Sequence, residues 1–234
     1  MTTTVIIPAA GLGTRFNALI PKQFTLLNGI PIIIHTLKLF NNNPNINSIV
    51  LAVAQDQLEL IQKLIETYSI TKIRDIVIGG SERQHSVMSA LESPMVTKAD
   101  VILIHDAVRP FASDFLVNSI INSASELGAV IPIMQPKETI KQIRTKNIIL
   151  HTLNRAKLCM AQTPQGFRRT IIYDAYQYIN SHNILTTDDA SVVESSGGTV
   201  HYIQGEENNI KITTPLDFKL AQIISKTNIN TKQI

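Results

Sequence analysis

The sequence predicts an α/β fold, a doubly wound and mostly parallel β-sheet with helices on both faces. Three observations predict it. Short β-branched runs are apolar throughout rather than alternating, as in residues 48–54 (SIVLAVA). Such strands are buried on both faces, which implies parallel pairing under covering helices. Between them lie segments with apolar residues near a helical period, such as Leu58, Leu60, Ile61, Leu64 and Ile65. The alternation of strand and helix continues from residue 5 to residue 134, the rhythm of a layered α/β domain.

The elements follow in order. Residues 5–7 read as the first strand, and residues 31–42 as a helix that runs into Asn41-Asn42-Asn43-Pro44. Residues 48–54 form the second strand, 57–68 a helix and 73–78 the third strand. A helix over 82–92 has Ser81 and Gln84 placed for a capping box. Residues 101–104 are the fourth strand, about 113–126 a helix and 129–134 the fifth strand. The rhythm breaks at KETIKQIRTKNIILHT, which alternates polar and apolar residues and turns near Thr145-Lys146-Asn147. It reads as a β-arm over residues 137–153 within a single domain of residues 1–234. A lone amphipathic hairpin is marginal in water, so a second copy of the chain is expected to cover it. The tail, residues 227–234, is expected to be disordered.

Composition narrows the function. With 234 residues, 44% hydrophobic and 17% charged, the chain can bury a sizeable core, which must be aliphatic because Trp is absent. The net charge of +3 comes without any Lys/Arg tract, which argues against nucleic acid and suits small anionic substrates. Cys159 is the only cysteine, so neither an intrachain disulfide nor a cysteine zinc site is possible. No basic leader precedes Val5, and no apolar run nears the ~18 residues of a membrane span. A cytoplasmic protein with no membrane partner is expected.

In doubly wound sheets, ligands bind beyond the carboxyl ends of the strands. The loops after the first, third and fourth strands are therefore the places to look. After the first come Pro8-Ala9-Ala10-Gly11-Leu12-Gly13-Thr14-Arg15 and then Pro21-Lys22-Gln23. Small residues there let backbone N–H groups approach a phosphate, with Arg15 and Lys22 adding charge. A Walker A loop is absent, and Phe16 replaces the third glycine of a dinucleotide fingerprint. An ordinary glycine-rich turn with two surface cations remains the alternative. After the third strand, Gly79-Gly80-Ser81-Glu82-Arg83 offers N–H groups and a hydroxyl to a base or ribose, or is simply a capped turn. After the fourth comes His105-Asp106-Ala107-Val108-Arg109-Pro110. Asp106 suits a ribose hydroxyl or Mg²⁺, or a plain ion pair with Arg109. His105 reads equally as packed or catalytic. Thr139, Asn154-Arg155, Gln162-Thr163-Pro164-Gln165 and Asn209-Ile210-Lys211 carry no signal singly. Asp188 and Asp189 read as a helix N-terminus.

Taken in order, PAAGLGTRF, PKQF, GGSERQHSV, HDAVRP, AQTPQGF, TDDASVVE and NNIKITTPLD resemble the 2-C-methyl-D-erythritol 4-phosphate cytidylyltransferases, from Val5 to about Ala221. The resemblance implies transfer of CMP from CTP to a methylerythritol phosphate, with Mg²⁺, in non-mevalonate isoprenoid synthesis. It also implies a Rossmann-like sheet with a projecting β-arm, acting as a homodimer through that arm. By the same resemblance Arg15, Lys22, Arg155 and Lys211 are the catalytic cations. Ala9, Ala10, Gly11, Gly13, Gly80, Ser81, Ser86 and Asp106 bind CTP, with Asp106 also the candidate metal ligand. Arg109, Thr139, Arg155 and Lys211 bind the sugar phosphate, with Thr139 and Arg109 reaching across the dimer. Asn154-Arg155-Ala156 is similar instead to the ribitol-5-phosphate cytidylyltransferases, which makes ribitol 5-phosphate the alternative acceptor. PAAG and the complete TDDASVVE favour the methylerythritol enzymes. A binding module without catalysis and a nicotinamide-dependent dehydrogenase are the readings from other classes.

Overall fold

The computed structural model of the chain describes residues 1–11, 21–145 and 147–231. It opens with β1 (Thr3–Pro8), a one-turn 3-10 helix at Lys22–Phe24, β2 (Leu26–Leu27), β3 (Ile30–Pro31) and α1 (Ile32–Asn42). Then come β4 (Ser48–Val53), a 3-10 turn at Gln55–Gln57, α2 (Leu58–Thr67), β5 (Ile73–Ile78), α3 (Arg83–Leu91) and the single turn α4 (Pro94–Thr97). β6 (Val101–Ile104), α5 (Asp114–Leu127) and β7 (Ala129–Met134) follow. The remaining elements are β8 (Lys141–Arg144), β9 (Ile148–Thr152), β10 (Met160–Ala161), β11 (Gln165–Arg168), α6 (Arg169–Ser181), α7 (Asp189–Ser195), β12 (His201–Gln204) and α8 (Pro215–Thr231).

The main sheet runs β10-β7-β11-β6-β1-β4-β5, with β12 paired in parallel to β7. β1 lies beside the central strand β6 and is parallel to both β4 and β6, and β4 is parallel to β5. Alternate side chains of one strand enter opposite cores, as the period of two requires. Val5 and Ile7 join α1, α2 and α5 on one face, through Leu37, Phe40, Ile61, Leu116 and Ile120. Ile6 joins α3, α6 and α7 on the other, through Val87, Ile172, Tyr176 and Val192. This is the expected Rossmann-like, doubly wound arrangement. All five strands and four helices expected before residue 134 are present, with ends shifted by a residue or two.

Three features depart from the sequence reading. β11 inserts antiparallel between β6 and β7 and interrupts the parallel order. Its sequence, Gln165-Gly166-Phe167-Arg168, has no β-branched residue to announce a strand. Gly166 is there because α5 packs against it: a Cβ would collide with Ile120 Cγ2 and lie 3.1 Å from Ala124 Cβ. Second, the capping box expected at α3 does not form. The N-cap is Glu82 with no side-chain cap bond. Gln84 serves distant backbone instead, accepting from Thr186 N (3.0 Å) and donating to Ile184 O (3.3 Å). Third, the tail expected to be disordered from residue 227 is helical to Thr231, because no Gly or Pro follows Pro215 to stop α8. By contrast, Ser113 caps α5 through Leu116 N at 3.0 Å, and Gly128 ends it at φ +94°, a conformation that favours glycine.

The arm has the expected form. β8 and β9 pair antiparallel as a sheet of their own, and Asn147 takes φ +62° in the turn. Every residue of the two strands is exposed, Ile143, Ile148, Ile149 and Leu150 included. No described helix is long and apolar enough to cross a membrane.

Gly166→Ala tests the close contact of β11 with α5. It should cost about 1–3 kcal/mol, read from the urea midpoint, since a well-packed core resists an added methyl. A change below about 0.5 kcal/mol would show that the strand and helix have room to part.

Candidate active site

The cleft lies where the strand order directs a ligand, across the carboxyl ends of β1, β5 and β6. Pro8, Ala9, Ala10 and Gly11 follow β1, Gly80, Ser81 and Ser86 follow β5, and Asp106 follows β6. Lys22 and Lys211 also line it. The cavity measures about 150 Å³. Typical small-molecule sites hold roughly 300–1,000 Å³, so a nucleotide held here extends beyond it. Gly79 lies where the first and third loops meet. Its N–H donates to Val53 O at 2.8 Å, and a Cβ would fall 2.6 Å from both Ala10 Cβ and Ser86 Oγ. The first and third loops therefore touch only because residue 79 has no side chain.

Asp106 is the electrostatic centre. It is buried, and three cations converge on its carboxylate. Arg83 Nε lies 3.3 Å from Oδ1, Arg109 Nε 3.3 Å from Oδ2 and Lys211 Nζ 2.9 Å from Oδ2. Burial alone would raise its pKa, but Arg83, Lys211 and Arg109 outweigh that and hold the carboxyl well below the usual range. The ion pair with Arg109, foreseen as the plain alternative, is thus real but only one of three. Each cation is held elsewhere too, or reaches in from a distant segment. Arg83 Nη2 pairs with buried Asp189 at 2.6 Å, and Tyr176 O–H donates to the other oxygen of Asp189 at 2.7 Å. Arg109 Nη1 donates to Asn209 O at 2.8 Å. Lys211 arrives on the segment pinned by Ile212 N–H to Val108 O at 3.0 Å.

His105 is packed, not poised for catalysis. It is fully buried, and its Nε2 lies 2.9 Å from Arg109 O. A carbonyl only accepts, so Nε2 carries the proton and Nδ1 accepts from Thr163 O–H at 3.1 Å. Burial pushes its pKa down to about 4. Asp188 caps α7 with a reciprocal box to Ser191, as expected of a helix N-terminus, whereas Asp189 turns inward to Arg83.

Of the residues singled out in the sequence, Ala9, Ala10, Gly11, Lys22, Gly80, Ser81, Ser86, Asp106 and Lys211 line one cleft, with Arg109 against Asp106. Gly13 and Arg15 lie outside the described residues. Thr139 and Arg155 do not join the cleft. Thr139 is exposed, and Arg155 donates to Lys137 O at 2.6 Å in a separate depression with Met134, Pro136 and Gln204. The sequence marks Asp189 only as a helix N-terminus and gives Arg83 no role, yet the two form an ion pair behind the cleft. Their signal exists only in three dimensions, because 106 residues separate the partners.

The donor set does not make a resident metal site. Among the described residues no three His, Cys, Asp or Glu side chains converge. Asp106, the expected metal ligand, already has three cations on its carboxylate. A divalent ion binding it directly would compete with them for its two oxygens.

Comparison with known proteins gives the class first. A solved structure from Anaerococcus prevotii, a 4-diphosphocytidyl-2C-methyl-D-erythritol synthase, superposes with a TM-score of 0.83 at 30% identity over 96% of each chain. Curated relatives from Clostridium botulinum (42% identical, 95% of this chain and 97% of theirs) and Syntrophus aciditrophicus (40%, 94% of each) are both 2-C-methyl-D-erythritol 4-phosphate cytidylyltransferases. The chain is a nucleotidyltransferase. The profile of the IspD family, 2-C-methyl-D-erythritol 4-phosphate cytidylyltransferase, matches residues 3–227, and the chain belongs to that family.

His105 gives the native state a pH dependence. Its folded pKa is depressed, so between about 6.5 and 4 the unfolded chain binds a proton that the folded chain refuses. Stability should fall as pH drops through that window, by up to roughly 3 kcal/mol, and level off below it. Urea titrations from pH 7 to pH 4 check this. An equally steep fall in His105→Gln would assign the effect to other groups.

Proposed function

We propose that the chain transfers CMP from CTP to 2-C-methyl-D-erythritol 4-phosphate and releases pyrophosphate. The observation that carries this is the cation cluster on Asp106 at the mouth of the glycine-rich loop. Arg83, Arg109 and Lys211 face Asp106 and Asp189, and Lys22 and Glu82 also line the cleft, four positive charges against three negative. The site thus holds an excess of positive charge suited to a polyanion.

The chemistry needs positioning more than proton transfer. An oxygen of the acceptor phosphate attacks the α-phosphorus of CTP. One P–O bond forms, the bond to the β-phosphate bridging oxygen breaks, and pyrophosphate leaves with the electron pair. The nucleophile is already an anion, so no general base is required, in keeping with a neutral, buried His105. The work is to bring two anions together and stabilise the charge that builds in line. Lys22 and Arg15 are assigned to the reacting phosphates, and Lys211, Arg109, Arg155 and Thr139 to the acceptor phosphate. Ala9, Ala10, Gly11, Gly13, Gly80, Ser81, Ser86 and Asp106 are assigned to CTP. Mg²⁺ enters as part of the substrate, held mainly by the triphosphate oxygens.

Within one chain Arg155 and Thr139 are apart from this cleft, while the arm that carries Thr139 exposes Ile143, Ile148, Ile149 and Leu150. A homodimer joined through the arm accounts for both, each partner lending Arg155 and Thr139 to the other's cleft. A cytoplasmic location is part of this reading, because CTP is available there. The methylerythritol acceptor is preferred to ribitol 5-phosphate because the relatives at 40–42% identity bear that name.

A pyrophosphate-release assay tests the reading. Turnover should need CTP and methylerythritol phosphate, and faster turnover with ribitol 5-phosphate would replace the acceptor. Lys22→Ala should lower kcat on the order of 10²–10³-fold with a much smaller effect on CTP binding. Mixed Arg155→Ala and Lys211→Ala chains should regain about a quarter of native activity after subunit exchange, since half the dimers then have one intact site. No recovery in exchanged dimers would place Arg155 in its own chain's site.

A further inference from the structure

One buried side chain at the cleft has no part in the chemistry above. Gln23 is 2% exposed and lines the cavity beside Lys22. Its Nε2 lies 2.9 Å from Ala9 O, 3.3 Å from Gly11 O and 3.3 Å from Gln57 Oε1, three acceptors that share its two hydrogens. Backbone carbonyls only accept, so the nitrogen of Gln23 must face them and the oxygen of Gln57 must face that nitrogen. We propose that Gln23, backed by Gln57, is a positioning residue that fixes the phosphate-facing backbone at Ala9–Gly11 and Lys22 relative to one another. This rests on the cytidylyltransferase reading above.

The geometry supports the role in three ways. First, the contacts join both ends of one chain segment: Gly11 precedes residues 12–20, and Gln23 follows them. One amide therefore sets the distance between the glycine-rich turn and the Lys22 turn. Second, Gln23 is placed by rigid surroundings. The 3-10 turn holding it is closed by Phe24 N–H to Pro21 O at 2.9 Å, and Phe24 is buried in the core. Ala9 is tied to the central sheet by its N–H to Ala52 O at 2.7 Å. Because a trans peptide points its C=O and N–H in opposite directions, holding Ala9 O turns the N–H of Ala10 away from Gln23. Third, Gln57 accepts an unfavourable arrangement to keep this contact. It is 5% exposed, and its Nε2 has no partner among the described residues. A buried donor left so is uncommon and calls for a reason. Turning the Oε1 of Gln57 toward Gln23 supplies one.

Steady-state pyrophosphate release with CTP and methylerythritol phosphate tests the proposal in four proteins: native, Gln23→Met, Gln57→Met and the double variant. Methionine keeps the length and bulk while removing the amide. Gln23→Met should lower kcat/KM for CTP about 10–100-fold, the usual cost of losing a support behind a functional group. KM for the acceptor should stay within about twofold. Gln57→Met should cost several-fold in the native background and nothing further once Gln23 is Met, a non-additivity expected only if the two act as one unit. CTP kinetics within about twofold of native in a folded Gln23→Met would overturn the proposal. So would additive losses, or losses spread equally over both substrates. If Gln23→Met does not fold, Gln57→Met decides alone, and unchanged CTP kinetics there would sink the idea. A native protein that releases no pyrophosphate would instead refute the functional reading.

Discussion

The site is organised by one buried carboxylate. Asp106 follows β6, the central strand of the sheet, and draws in Arg83 from α3, Arg109 from its own loop and Lys211 from the segment before α8. Isolated, it could not stay ionised there, because burial disfavours the charged form. With three cations around it the charge is stable, and the cations in turn are held close despite their mutual repulsion. Removing one member of such a cluster leaves uncompensated buried charge, which is why the arrangement behaves as a unit. Asp189 and Tyr176 extend it behind Arg83 and tie the cleft to α6 and α7.

The cluster is uneven in a way that suits an anionic substrate. The Lys211 side chain is 39% exposed, that of Arg83 27% and that of Arg109 11%. Arg83 and Arg109 each have a second acceptor, in Asp189 and in Asn209 O. The more solvent-facing charge is therefore the one placed to turn from Asp106 toward an arriving phosphate, while the buried two hold the carboxylate ionised. Gly79 and Gln23 do for the backbone what Asp106 does for the charges. Gly79 lets the loops after β1 and β5 meet, and Gln23 ties the loop after β1 to the turn that carries Lys22.

The fold up to residue 134 was legible because aliphatic periodicity dominates there. Val5, Ile6 and Ile7 read as a strand buried on both faces, and their side chains do enter two cores. Beyond that point the signal weakens, since β11 is specified by the bare backbone of Gly166 under α5 and not by strand-forming residues. The cleft was legible as loops, because strand order dictates where they meet. Its partners were not. The Arg83–Asp189 and Gln23–Gln57 contacts join residues far apart in sequence, and neither pair has a spacing rule to reveal it. The failed capping box at α3 shows the same limit from the other side: Gln84 had the right spacing but found better partners 100 or more residues away.

The position of Arg155 then bears on what the functional unit is. Its guanidinium rests on Lys137 O at the base of the arm, in a depression separate from the Asp106 cleft. A long side chain can swing, but its backbone is fixed by the 3-10 turn that Asn154 caps at Ala156 N, 3.1 Å away. If Arg155 and Lys211 grip one acceptor phosphate, the simplest geometry draws them from different chains. The same exposed arm would then bury its isoleucines and complete the partner's site in a single contact. Dimer stability and acceptor binding would be linked, because any substrate that binds across the two chains favours their association by mass action. On that account the arm is part of the acceptor site, and the cleft of a lone chain is complete only on its nucleotide side.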